Sequence, residues 1–162
     1  AHGKEIYEEP NWPAEPLFYL SIPSVTDNSV APPGCENLFF LVPVAAGLPG
    51  DTELLRKKYF DIIVARFEEK AKQKIKENII FYKSYSVTDF KNDYGAFKGN
   101  AYGLANTLMQ TAVLKPSLKS KKIENLYFAG QLTVPGPGVP PALISGEVVA
   151  REINKDFKMV NA

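Results

Sequence analysis

The amino-acid sequence predicts a mixed α/β protein (α/β, α+β). A nearly unbroken apolar run, "NLFFLVPVAAG", occupies Asn37–Gly47. It is followed by apolar residues spaced four apart, Tyr59, Ile63, Phe67, Ala71 and Ile75, with Phe60 and Val64 alongside. Near the end, "NLYFAG" (Asn125–Gly130) leads through a loop rich in glycine and proline into a helix of small residues. Segments with strand character and segments of helical period therefore alternate along one chain.

Bulk composition narrows the function classes. With 162 residues, 45% apolar and 23% charged, the chain can bury a core of its own or form a piece of something larger. A net charge of +1 gives no electrostatic case for nucleic acid. Cys35 is the only cysteine, which excludes an internal disulfide and reads as a small buried hydrophobe. His2 is the only histidine and lies at the terminus, so Ser-His-Asp and Cys-His catalysis are disfavoured and no metal site is expected. The opening "AHGKEIYEEPNWPAEP" has neither an initiator Met nor an apolar signal region, and reads as a chain entered from the middle. The run Leu38–Leu48 is interrupted by Pro43 and is too short to span a bilayer.

Each element has its own justification. Leu17–Ser24 is aromatic and β-branched and ends beside Pro23, which predicts a strand. Asp27 and Asn28 suit an Asx turn. Asn37–Gly47 predicts a strand buried on both faces. Asp51 is offered as the N-cap of a long helix over Thr52–Ile75. Its outer side carries Lys58, Asp61, Glu68, Glu69, Lys72 and Lys76, a mixture of signs that suits a helix packed on a sheet better than a membrane-surface helix. Asn78–Val87 alternates as a third strand. Thr88 caps a short helix over Asp89–Tyr94, and Gly95, Gly99 and Gly103 interrupt any regular element beyond it. A second short helix is expected near Leu104–Val113, ended by Lys115-Pro116, before a solvated basic loop over Lys115–Lys122.

Asn125–Gly130 is the fourth expected strand, and the last helix is placed from Pro141 to about Asn154. Pro140 and Pro141 suit its start, where a missing N–H costs little. Ala142, Leu143, Gly146, Val149, Ala150 and Ile153 share one face, within which the row Ala142/Gly146/Ala150 would let another backbone come close. Glu147, Arg151 and Glu152 lie opposite. A strand end, a Gly/Pro loop and a helix N-terminus in succession suit an electron-rich group, although small residues in a helix more often serve packing. No G-x-G-x-x-G and no Walker loop occurs in the chain.

"NLYFAGQLTVPGPGVPPALISGEVVAREI" resembles the C-terminal flavin-contacting segment of the bacterial phytoene desaturase family of FAD-dependent carotenoid dehydrogenases, relatives of the amine-oxidase-like flavoproteins. "PSVTDNSVAPPGCENLFFLVPV" (Pro23–Val44) resembles that family's substrate-domain strands, and "VTDFKNDYGAFKGNAYGLANTLMQTAVLKPS" (Val87–Ser117) the stretch leading into the flavin segment. The likeness runs from about residue 11 onward. It implies a fragment of an FAD/NAD(P)-binding flavoprotein. Residues 1–16 would be an irregular start, 17–115 part of the substrate-binding domain, and 116–162 the last strand and helix of the dinucleotide-binding domain.

The resemblance also implies function. FAD would take a hydride from a long polyene while a neighbouring proton is lost, with Gly130, Gln131, Gly138, Val139, Pro140 and Ala142 contacting the cofactor. Gln131 departs from the pattern, because many such flavoproteins carry Asp after that glycine to hold a ribityl hydroxyl. No catalytic group is identified. Asp27, Asp89 and Glu147 could accept a proton but read better as a turn cap, a helix cap and a solvated residue. Phe39, Phe40, Phe81, Tyr82 and Tyr85 could line a polyene tunnel, with core packing the commoner role. The implied setting is cytoplasmic, peripheral on the inner face of the membrane, with a carotenoid as partner and no nucleic acid. A related FAD enzyme for a retinoid or an amine is one alternative. A non-catalytic binding domain is the other, favoured by the missing glycine fingerprint.

Overall fold

A computed structural model describes residues 2–104, 108–110 and 114–160. It divides into two compact units, residues 1–100 and 101–162. The chain is a mixed α/β molecule: helices with a small two-stranded sheet.

In the first unit, α1 (His2–Tyr7) opens the segment expected to be irregular. That segment is firmly attached. His2 is buried; its Nδ1 accepts from the Leu17 N–H at 2.9 Å and its Nε2 donates to the Pro43 carbonyl at 2.7 Å. Trp12 Nε1 donates to Pro49 O and Tyr59 OH to Pro13 O, each at 2.6 Å. β1 (Tyr19–Ser21) and β2 (Phe39–Leu41) pair antiparallel, with Leu20 opposite Phe40. The two expected strands thus exist but are short. The second is not buried on both faces, because Phe39 is 53% exposed while Phe40 turns inward against Phe18 and Phe67.

α2 (Glu53–Ala71) supplies the buried Ile63 and Val64. Its N-cap is Thr52, whose hydroxyl accepts from the Leu55 N–H at 3.2 Å, and not Asp51. It stops short of Ile75 because Lys72 turns into the left-handed region, at φ 57°, and Glu68 then accepts the N–H groups of Ile75 and Lys76. The expected third strand over Asn78–Val87 does not form. Its residues have no ladder partner among the described residues, and Ile80 and Phe81 stand 84% and 78% exposed. α3 (Val87–Tyr94) comes next, capped by Ser86 and not by Thr88, with Asp89 completing a capping box.

In the second unit the expected short helix appears, among the described residues, as a single 3-10 turn at Leu108–Gln110; residues 105–107 and 111–113 of that expectation lie outside them. The fourth expected strand reduces to an isolated antiparallel bridge, Lys119 with Tyr127. α4 (Val139–Val160) begins before the expected Pro141 and outlasts Asn154. Among its residues whose burial is described, Ser145 and Val149 are buried. The row Ala142/Gly146/Ala150 is therefore not where the chain comes close: Gly146 and Ala150 are exposed, with nothing within 4 Å of a Cβ built on Gly146.

Candidate functional site

The residues expected to contact a ligand fall on two backbone stretches of the second unit. These are the turn at Gly130–Gln131 and the start of α4 at Gly138–Ala142. What joins them is Ser145, a residue absent from the expected set. Its hydroxyl accepts the Gly130 N–H at 2.6 Å and donates to the Ala142 carbonyl at 2.6 Å, and the side chain has no exposed surface. Thr133, 3% exposed, takes the other side of Gly130: its Oγ1 and its N–H donate to the Gly130 carbonyl at 3.1 and 3.4 Å.

Both polar groups of Gly130 are therefore satisfied from within the unit. Its φ of +106° is one that only glycine adopts without strain, and a Cβ built there would meet nothing within 4 Å. A bare, fixed piece of main chain with open space before it can be approached closely by van der Waals contact. It cannot donate a hydrogen bond, since its N–H belongs to Ser145.

The start of α4 is chemically narrow. A helix ordinarily leaves its first four N–H groups without intrahelical partners. Here Pro140 and Pro141 have no N–H, and that of Ala142 bonds the Gly138 carbonyl at 3.0 Å. Val139, whose side chain is 75% exposed, is left as the donor of that turn beyond Gly138 itself. Ala142 thus contributes its place in the turn and not a hydrogen bond. Lys115 also reaches this loop. Its ammonium donates to Pro135 O at 3.2 Å and fills the space that a Cβ on Gly136 would need.

Behind Gly130, Asp156 of α4 clips the Lys119/Tyr127 bridge. Lys119 Nζ lies 2.5 Å from its carboxylate, and the Tyr127 hydroxyl donates to the same oxygen. Lys119, then Tyr127, hold the Asp156 carboxyl below its usual range, and Asp156 raises both partners. The clip sits three residues before Gly130, so the turn is held on both flanks.

The proton-acceptor candidates have other occupations. Asp27 takes the Ser29 N–H and hydroxyl at 2.8 and 2.6 Å, an Asx turn that lowers its pKa. Asp89 caps α3 and binds Arg56 at 2.8 Å; Glu147 pairs with Arg151. Of the tunnel aromatics, Phe40 packs between Phe18 and Phe67, and Tyr82 stacks on Phe60 at 4.0 Å. Cys35 is a free thiol at intermediate exposure, so the buried position expected for it is not found. Among the described residues no group of acidic, cysteine and histidine side chains could hold a metal ion, and no helix is long and apolar enough to cross a membrane.

No protein-family model matches the chain. Known proteins do. It is 44% identical over 156 residues to a carotenoid 3,4-desaturase of Haloarcula japonica, an alignment covering 96% of this chain and 31% of that protein. It is 35% identical over 160 residues to a 4,4'-diapolycopen-4-al dehydrogenase of Metabacillus indicus, covering 97% and 32%. It is 32% identical over 150 residues to a 4,4'-diapophytoene desaturase of Staphylococcus aureus, covering 89% and 30%. The chain spans about a third of the length of these curated relatives. By sequence, over nearly all of its own length, it belongs to the carotenoid desaturase-type family.

Proposed function

We propose that this chain forms one part of an FAD-dependent oxidoreductase that dehydrogenates a long polyene, a carotenoid or its precursor. The observation that carries the reading is the 44% identity to a carotenoid desaturase across 96% of the chain. The geometry suits it. Gly130 offers a flat face bare of side chain, and Val139 a single N–H at the positive end of a helix, as the edge of a planar cofactor would require.

FAD, when bound, would supply the two-electron acceptor for the C–H bond. The part of this chain is to place it. Gly130 would let the cofactor's ribityl or diphosphate portion lie against main chain, with Gln131 beside it as a neutral hydrogen-bonding group. Gly138 and Val139 would face the ring edge that gains negative charge on reduction, where a helix start stabilises charge by about 0.3–2 kcal/mol. Pro140 fixes the direction of the turn and donates nothing. The division into a substrate part over 17–115 and a cofactor part over 116–162 goes with this reading. The exposed Ile80 and Phe81 would be covered by the remainder of a protein as long as its relatives. The polyene's lipid nature implies peripheral membrane contact from the cytoplasmic side.

One relative is named for oxidising an aldehyde, which favours a second reading in which the polyene substrate ends in a carbonyl. Both readings meet one experiment. The polypeptide carrying this chain at the length of its relatives is purified, its bound flavin identified by absorbance, and anaerobic flavin bleaching followed with a hydrocarbon polyene and with a polyene aldehyde. Bleaching by the hydrocarbon, with product absorption moved to longer wavelength, is expected. Bleaching by the aldehyde alone selects the second reading, and no bound flavin overturns both.

A further inference from the structure

Ser145 is more than a packing residue of α4. A serine inside a helix commonly turns its hydroxyl back to a carbonyl of the preceding turn, with little gain in stability. Ser145 does this with Ala142, yet the same oxygen also receives the N–H of Gly130, fifteen residues away in sequence. The rest of the helix does not ask for a hydroxyl here: its neighbours Gly146 and Ala150 are small, apolar and exposed. What asks for it is Gly130, whose N–H would otherwise be left without an acceptor while Thr133 still holds its carbonyl. One side chain thus joins the two main-chain stretches of the candidate site and fixes their offset.

We infer that Ser145 is a positioning residue for the cofactor, setting the Gly130 turn against the start of α4 so that both meet one rigid planar ligand. The inference rests on the flavin reading of this chain. It gives Ser145 no contact with the cofactor; its effect passes through the Gly130 peptide. Without the hydroxyl that peptide is free to rotate toward the open side, and the face bare of side chain loses its place.

The test uses the full flavoprotein. FAD affinity is read by quenching of flavin fluorescence, alongside the flavin midpoint potential and the melting temperature of the apoprotein, for the wild type, Ser145→Ala and Ser145→Thr. The expected result is about tenfold weaker FAD binding in Ser145→Ala, the size of one lost hydrogen bond. The midpoint potential should fall too, and both should be restored in Ser145→Thr, which keeps the hydroxyl. A merely structural serine would lower the apoprotein melting temperature and leave the potential of the bound flavin where it was; that pattern overturns the inference. So does an unchanged affinity in a folded Ser145→Ala. Should that variant not fold, Thr133→Val loosens the next peptide, on the carbonyl side of the same glycine, and is read in the same way, with an unchanged potential again overturning the inference. A wild-type protein that binds no FAD overturns the flavin reading itself, an outcome distinct from either of these.

Discussion

The two units use buried polar groups in opposite ways. In the first, Asp51, Arg56 and Asp89 close on one another. Arg56 Nε and Nη2 reach Asp51 at 2.8 and 2.9 Å, its Nη1 reaches Asp89 at 2.8 Å, and Asp51 also accepts the Thr88 N–H at 2.8 Å. The Asp51 side chain is 3% exposed and that of Arg56 12%. Asp51 and Arg56 face inward and Asp89 is about a third exposed, and together they join the starts of α2 and α3 with every donor nitrogen of Arg56 directed at a carboxylate of the chain. In the second unit Ser145 and Thr133 satisfy Gly130 from behind with neutral groups and leave its front bare. A satisfied network signals architecture; a backbone satisfied on one side only signals a surface built to be approached.

The largest effect expected from breaking this contrast is in the charged network. Arg56→Met leaves the buried Asp51 carboxylate without its cation, and removing one partner of a buried pair costs roughly 3–5 kcal/mol, the partial exposure of Asp89 setting this case at the lower end. A fall of several degrees in the melting temperature is expected, with flavin affinity of the folded fraction unchanged. A loss of flavin affinity without a loss of stability would mean that the network serves the site after all.

Gly130→Ala comes next. At φ +106° the new side chain is strained by roughly 1–3 kcal/mol, but it meets no atom of this chain within 4 Å. If the open space is the cofactor's, FAD binding should weaken by more than the apoprotein's stability falls. Equal changes in the two, measured by titration and by melting, would assign the glycine to backbone conformation alone.

Acid should have a smaller effect. For Asp51, burial pushes the carboxyl up, but Arg56 and then the Thr88 N–H outweigh it, and the pKa lies below the ordinary 3.8. A group lowered on folding contributes stability that is fully present above its ordinary value and is lost as pH falls through the lower folded one. The melting temperature should therefore drop as pH is taken below about 4, with Asp51→Asn flattening that slope. An unaltered slope in Asp51→Asn would assign the acid sensitivity to the other lowered carboxylates, Asp27, Asp61, Glu68 and Asp156.

How much of this was legible in the sequence depends on how far each signal travels along the chain. The core of α2 was visible in its four-residue spacing, because helical contacts are local. Its end was not: the stripe reaches Ile75, but Glu68 captures the backbone N–H groups beyond Lys72 and turns the chain away. The alternation over Asn78–Val87 is real, yet a strand exists only with a partner, and none of the described residues pairs with it. Gly130 and Gly138 stood out because glycine reports a backbone need by itself. Ser145, Thr133 and Lys115 did not, since each matters through a partner remote in sequence, and a lone serine in a helix carries no sign of one.

The smallest expected effect sharpens the contrast from the other side. Tyr127→Phe removes one of the two groups that hold Asp156, while Lys119 remains 2.5 Å from the carboxylate. Lys119 keeps half of its surface in solvent, so water can replace what the tyrosine gave, and exposed pairs of this kind contribute little to stability. The melting temperature should therefore hardly move. The Asp156 carboxyl should rise toward its ordinary range, visible as a shift in its titration by NMR, because Tyr127 is the second of the groups that lower it. Flavin affinity should stay as in the wild type, since Gly130 is still held by Ser145 and Thr133. A marked loss of affinity in Tyr127→Phe would move the control of the turn from those two residues to the clip before it, and the surface at Gly130 would then depend on α4 as a whole and not on the one hydroxyl.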